Sequence, residues 1–476
     1  METATRVKRY AAYLVGVVGF SGVLYGLGGA AAMAVALPYV KATCPSFTSG
    51  ELSRLVAACM FGAVASSFLA GPLSDWIGRK KTLLLAALVF ACGGPVLCFS
   101  GGRYWTMLAG QLTFGAGMGV LGVVSPMYLA ECLDAESRGK GTAFFQLLLI
   151  AGIMVSGVTG LVIANAIGAA DDATLDVAKK FLAWKTVFLA ESAPALLLLL
   201  GLLPLKESPR WLYRRGRRDE ALAALAANNG EEKARRVLDE MVAADAAEAA
   251  RKQALAATPK DSLLQKKYVA PFLIAFVILV CNQTTGVNGV LGYSVMIFQQ
   301  SGLVGKFANC ADTVFKFVML AMTALACVLV DRKGRKFLLE AGTLGIIAGS
   351  LGTGAVFLGI QWGWFQPSLA TGWAVAGFLT LFIAAFAVGP GVCVWLALTE
   401  LMPNRIRAVG MSVALLANQG VAFGLQATML PLRDAVGYGW LFVIFAACTV
   451  VYFATAAFFM PETKGKTLEE IEAFFK

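Results

Sequence analysis

Apolar stretches of the roughly 20 residues that a helix needs to cross a bilayer recur twelve times along the chain. They lie near 12–35, 52–74, 82–100, 104–130, 141–165, 182–204, 268–299, 311–330, 337–360, 372–399, 408–431 and 438–460. Six precede and six follow a charged stretch. The first follows Arg6, Lys8 and Arg9 and resembles a secretory leader, but it is too long and has no convincing cleavage site, so it reads as a retained span. The pattern predicts an all-α membrane protein with a six-helix bundle in 1–204 and a second in 268–460. Residues 205–267 between them are rich in Ala, Glu, Lys and Arg at helical spacing and read as a cytoplasmic helical linker, with Gly230 ending one short helix before EEKARRVL begins the next. In 461–476, Leu468, Ile471, Phe474 and Phe475 fall on one face of a short amphipathic cytoplasmic helix.

Composition agrees. With 58% hydrophobic and 14% charged residues and a mean hydropathy of +0.72, lipid must be the main solvent. Most of the 40 Lys and Arg residues fall in the N-terminus, the even-numbered loops and the C-terminus, which places both termini in the cytoplasm. The net charge of +11 then needs no nucleic acid, because inner-leaflet anionic lipid lies beside those loops. Most of the ten cysteines sit inside apolar stretches as small hydrophobes without metal spacing. Cys44 and Cys310 fall near external loops, where a disulfide or two free thiols are the alternatives. The chain has no histidine, no metal-spaced cluster and no nucleophile motif, so an enzyme, a metal site and a bound cofactor are not expected.

Two cassettes, GPLSDWIGRKK at 71–81 and DRKGRK at 331–336, each follow an apolar span about half a chain apart. They mark an internal duplication, the signature of a carrier whose two halves rock about a central site. Together with SPMYLAE and RG (125–131, 138–139), ESPRWL (207–212), NQTTGVN (282–288), GPG…W…E (389–400) and PETKGK (461–466), they make the chain resemble the sugar porter family of the major facilitator superfamily over nearly its whole length. The resemblance implies two pseudo-symmetric six-helix bundles with a small-molecule sugar bound between them, working in a lipid bilayer. A monomer in a cell membrane, bacterial from its compact loops, is the corresponding expectation.

A sugar presents hydroxyls that donate and accept, so its binders should be amides plus an aromatic for the ring face. Gln146 in span 5, Asn282, Gln283 and Asn288 in span 7, Trp395 in span 10 and Asn418 in span 11 align with the family's sugar-contacting positions, whereas a buried amide taken singly also serves as interhelical glue. On an unbroken helix at about 100° per residue, Gln283 and Asn288 would lie about 140° apart. A break is therefore expected, and Gly286, Gly289 and Gly292 supply it. Tyr293, with Tyr25 and Gly286, is the candidate gate; an interfacial belt is the other reading of Tyr293. Asp75, Arg79, Glu131 and Arg138 echo Asp331, Arg335, Glu400 and Arg407, with Glu207 and Arg210 at the linker's start. The family uses this network to tie the bundles together at the cytoplasmic face while the site faces out.

Proton-coupled members resemble GYD in span 1 and pair that Asp with an Arg in span 4. Here Gly28 and Gln111 occupy those places. Losing one partner would strand a buried charge, so their joint absence is self-consistent. Coupling needs a group whose charge changes during the cycle, on which the membrane potential acts with about 2.3 kcal/mol per charge per 100 mV. A facilitative uniporter follows. Glu191 in span 6 is the exception, an intramembrane acid that offers proton coupling, with Lys185 as its candidate neutraliser. Lys316 is expected to snorkel outward in a local ion pair with Asp312. The glucose-associated QLS triad reads LVC at 279–281 and Asn282 replaces the first Gln of a pair, which leaves hexose, pentose and inositol open. A sugar sensor would need a long signalling tail, which the short segment after Pro461 does not offer. An organic-ion antiporter would give no reason for the amides.

Overall fold

The computed structural model describes residues 2–28, 30–133, 135–243, 265–403, 405–464, 466, 470, 474 and 475, with the backbone alone at 2–4, 30, 135–138, 140, 266, 331 and 408. The described residues form helices α1 (Glu2–Leu27), α2 (Ala30–Thr43), α3 (Ser49–Ile77), α4 (Arg79–Cys98), α5 (Tyr104–Cys132), α6 (Ala135–Ala166) and α7 (Val177–Leu202) in the first half. Helices α8 (Pro209–Arg214), α9 (Arg218–Asn229) and α10 (231–243) follow in the linker. The second half holds α11 (Lys266–Thr284), α12 (Val287–Gln300), α13 (Lys306–Lys333), α14 (Arg335–Gln361), α15 (Leu369–Val388), α16 (Pro390–Leu401) and α17 (Arg407–Ala454). As the sequence suggests, Gly230 takes φ +83° and closes α9.

Eleven stretches among the described residues are long and apolar enough to cross a membrane. The last of them runs 51 residues, which at 1.5 Å per residue is more than twice the ~30 Å hydrocarbon thickness. It is two spans. Gly437, at φ 80° and ψ 160°, breaks α17 between them, restoring the twelve expected from hydropathy. Spans 1, 7 and 10 are each broken near mid-membrane, between α1 and α2, α11 and α12, and α15 and α16. Polar end groups are met locally: Thr48 accepts from Glu51 N at 3.2 Å while the Glu51 carboxylate accepts from Thr48 N at 2.9 Å, starting α3.

Within the first half α3 packs on α5, α4 on α5 and α7, and α1 on α6; within the second, α14 packs on α15 and α17, and α11 on α17. Among the described residues the two halves meet most extensively through three pairs, α2 with α12, α3 with α17, and α6 with α13. Counted as spans these are 1 with 7, 2 with 11, and 5 with 8. Adding six exchanges the last two pairs, as a two-fold axis along the membrane normal requires. The fold is two six-span bundles related by that axis, as the resemblance implies.

Helices α8 and α9 of the linker dock on the first half. Trp211 Nε1 and an Arg215 guanidinium N–H both donate to the Asp75 carbonyl at 2.8 Å, and Asn228 Nδ2 donates to Cys132 O at 3.1 Å. Of the C-terminal helix, Leu468 and Ile471 lie outside the described residues; Phe475 is buried against the second half, whereas Phe474 is exposed. Cys44 and Cys310 are both free thiols.

Small residues set the closest helix approaches. A Cβ on Gly115 of α5 would be driven into the Cys59 carbonyl of α3, whereas one on Gly377 of α15 meets nothing within 4 Å. Gly115→Val is expected to destabilise the protein by about 1–3 kcal/mol through overpacking. Gly377→Ala should leave the thermal midpoint in detergent unchanged or raise it slightly. Thermal unfolding of the two variants side by side checks this.

Candidate solute-binding site

The break in span 7 determines the site. Helix α11 ends at Thr284, Gly286 turns left-handed at φ 85° and ψ 8°, and α12 restarts at Val287. Only glycine fits: the left-handed turn disfavours any Cβ, and one built there would stand 2.5 Å from the Phe445 ring. The break swings Asn288 back over Gln283, so that Asn288 Nδ2 donates to Gln283 Oε1 at 2.6 Å. Gln283 Nε2 in turn donates to Asn418 Oδ1 at 3.2 Å, and Asn418 Nδ2 to the Leu279 carbonyl at 2.7 Å. Three amides from spans 7 and 11 thus form one directed chain. The 140° separation of a straight helix has gone.

This chain lines a cavity of about 600 Å³ between the halves, within the roughly 300–1,000 Å³ of small-molecule sites. Gln146 of α6 lines it from the first half, and Asn282, Gln283, Asn288, Trp395 and Asn418 line it from the second. All six sequence-predicted binders therefore meet in one place. Trp395 is 42% exposed with its indole in the wall. Asn282 Oδ1 is buried with no partner among the described residues, a spare acceptor in that wall. Ser412, Gln419 and Thr323 also line the cavity. They were missed because hydroxyls are common in spans and Gln419 follows Asn418 directly in sequence.

The cavity opens toward the face that carries the basic cassettes. Its wall takes Met60 to Phe68 from α3, which ends at that face, and Ser412 to Gln419 from α17, which begins there. The opposite face is closed. Leu430 N donates to Ser53 Oγ at 3.0 Å, Thr313 Oγ1 to the Gly157 carbonyl at 3.0 Å, and Gly305 N to the Asp171 carboxylate at 2.7 Å, each bond joining one half to the other. Of the candidate gate residues, Tyr293 is fully buried in this closed region with its hydroxyl donating to Gln426 O at 2.9 Å, and Tyr25 lines the cavity.

At the open face the charges act within each half. Arg79 is 2% exposed and holds Asp75 at 2.8 Å and both oxygens of Glu131 at 2.9 and 3.0 Å; Glu131 also accepts from Ser208 Oγ. The Glu207 carboxylate caps α4 by accepting from Lys80 N at 2.9 Å. The second half repeats the scheme. Arg335 pairs with Glu400 at 3.3 Å, Thr463 donates to Glu400 at 2.5 Å, and Glu462 caps α14 by accepting from Arg335 N and Lys336 N. Arg407 is spent on the Met402 carbonyl, and Arg210 is exposed. The side chains of Arg138 and Asp331 lie outside the described residues. With the cavity open at this face, the pairs that Arg79 makes with Asp75 and Glu131, and Arg335 with Glu400, each close within one half.

At the two positions where proton-coupled relatives carry charge, Gly28 packs on the Phe90 ring and Gln111 Nε2 contacts Met33 Sδ at 3.2 Å. Glu191 is 1% exposed, and neither of its oxygens has a hydrogen-bond partner among the described residues. Lys185 does not neutralise it; its ammonium stands over the Phe181 and Trp184 rings at 5.8 and 5.9 Å. Lys316 does pair with Asp312, at 2.8 Å, but it does not snorkel: it is 0% exposed. The other half covers it, which i,i+4 spacing cannot reveal.

A two-bundle carrier with a neutral amide cavity at its axis is the class that fold and site define. The family model described as "Sugar (and other) transporter" matches residues 14–475, and the chain belongs to that family, the sugar porters of the major facilitator superfamily. The inward-open xylose transporter XylE of E. coli shares the fold with a TM-score of 0.79 at 25% identity, covering 97% of this chain and 99% of that one. The glucose transporter GlcP of Staphylococcus epidermidis is 28% identical, over 98% of this chain and 97% of its own. The major myo-inositol transporter IolT of Bacillus subtilis (strain 168) is 28% identical, over 96% and 92%.

If the amide chain holds the solute, Gln283→Ala and Asn288→Ala should each weaken sugar binding about tenfold or more, equivalent to about 1.4 kcal/mol. The midpoint without sugar should fall little. Sugar-dependent thermal stabilisation of the purified protein measures both.

Proposed function

We propose that the chain is a facilitative carrier of a monosaccharide or polyol, caught in this structure with its site open to the cytoplasm. The orientation follows from the basic loops, which place the open face and both termini inside. The observation that carries the reading is the run of neutral amides from Gln283 through Asn288 and Asn418, facing Gln146 across one cavity. Amides donate and accept through one planar group, matching vicinal hydroxyls, and Trp395 offers a face for the apolar side of a ring. A greasy cation would find no carboxylate among the cavity-lining residues, which weighs against an organic-ion antiporter. Relatives named for glucose, xylose and myo-inositol support the solute class and leave its member open.

Uniport is favoured because the positions that carry the charge pair in coupled relatives hold Gly28 and Gln111. A proton would have no group in the solute's path to ride on. The second reading, proton symport through Glu191, rests on that carboxyl's two unpartnered oxygens in α7. Against it, Glu191 does not line the cavity. In liposomes, uptake of labelled sugar down its gradient is expected to be indifferent to an imposed proton gradient. Accumulation driven by external acid and lost in Glu191→Gln would replace uniport with symport, and no uptake of any sugar or polyol would remove the solute assignment.

A further inference from the structure

Lys316 and Asp312 are the one buried ion pair in the described spans that touches both halves of the carrier. An ammonium has three protons to place, and all three are placed. Lys316 Nζ donates to Asp312 Oδ2 at 2.8 Å, to the Ala31 carbonyl at 3.2 Å and to Ser156 Oγ at 3.2 Å. Asp312 belongs to the same half as the lysine; Ala31 and Ser156 belong to the other. The second carboxylate oxygen accepts from Ser294 Oγ at 2.5 Å, so the pair is well satisfied on its own side too.

The surroundings leave little room for water. Lys316 is 0% and Asp312 0% exposed, and the lysine stem lies along Gly157 of α6, where an added Cβ would stand 3.0 Å from Lys316 Cδ. The pair does not itself line the cavity but adjoins it: Ala31, whose carbonyl accepts from Lys316, lines the cavity, as does Met319, one turn along α13 from Lys316. Separating the halves on this face would strip the ammonium of two of its three acceptors. Water must then replace them, because a buried charge without partners is costly.

We infer that Lys316 is a positioning residue of the transport cycle, a latch carried by the second half that closes on Ala31 and Ser156 of the first and biases the empty carrier toward the conformation open to the basic face. It needs no contact with the solute. A ligand-independent bias of this kind sets the fraction of carriers presenting a site to each side, and hence the apparent affinity on each side. The inference rests on the alternating-access reading above but not on the identity of the solute.

Hydrogen exchange of the full chain in lipid nanodiscs, without sugar, is the test. Lys316→Met keeps the stem and removes the charge; it is expected to raise exchange about tenfold in segments 30–43, 150–160 and 287–300, and to leave 79–98 unchanged. Ser156→Ala removes one acceptor from the first half, and a two- to fivefold rise confined to the same segments is expected. In liposomes Lys316→Met should lower the half-saturating sugar concentration on the closed side at least threefold and raise it on the open side, a split that general loosening would not produce. Unchanged exchange in those segments for both variants overturns the latch. Should Lys316→Met also raise exchange in 79–98, it has unfolded and Ser156→Ala alone decides, no change counting against. A latch that opens in a protein carrying no sugar would sink only the solute assignment; sugar transport with an unresponsive face would sink only the latch.

Discussion

In hydrocarbon a polar group that the protein does not satisfy has no water to turn to. That constraint places nearly every informative side chain of this molecule. The amides of spans 7 and 11 satisfy one another in series, Asn288 to Gln283 to Asn418 to the Leu279 carbonyl, and so they stand at the axis rather than against lipid. Leu196, Leu197 and Leu200 of α7 are more than half exposed by contrast, as lipid-facing positions should be. Scarcity gives the amides their meaning: in a chain this apolar, a run of partnered amides across two spans marks a place where a polar solute can be met.

The same constraint ties each half together as a unit. Glu207 and Glu462 cap the helices that begin at Arg79 and Arg335, in each case just after a single glycine joins two spans. Arg79 and Arg335 then hold Glu131 and Glu400. These bonds close within a half, so opening the cavity toward the basic face breaks none of them. Across the halves, the contacts at the opposite face join spans 1 with 7, 2 with 11 and 5 with 8. Rocking about the axis, as the proposed transport requires, would exchange these contacts for others at the basic face.

Much of this was legible in the chain. Hydropathy gave the spans, and the separation of Gln283 and Asn288 demanded a break that Gly286 supplies. Hydropathy also separated the last two spans, 408–431 and 438–460, and Gly437 breaks α17 between them. The charge cassettes announced a duplication, yet whether Arg79 pairs within its half or across depends on conformation, which sequence does not encode. Lys316 shows the limit most clearly. Its acid at i,i+4 was visible, but its other acceptors lie 285 and 160 residues away, and no local pattern reports on them.

A neutral site has a further consequence. Amides offer the same donors and acceptors whichever face the cavity opens to, so the solute itself supplies little preference between conformations. Each factor of ten in the resting ratio takes about 1.4 kcal/mol, and that difference must come from groups the solute never touches. Charges are suited to it, since their energy depends steeply on whether they are dry and paired or wet. With Gly28 and Gln111 in place of the charged pair of coupled relatives, the site has given up that lever. The Lys316–Asp312 pair, satisfied by both halves on the closed face, is where the molecule has kept one.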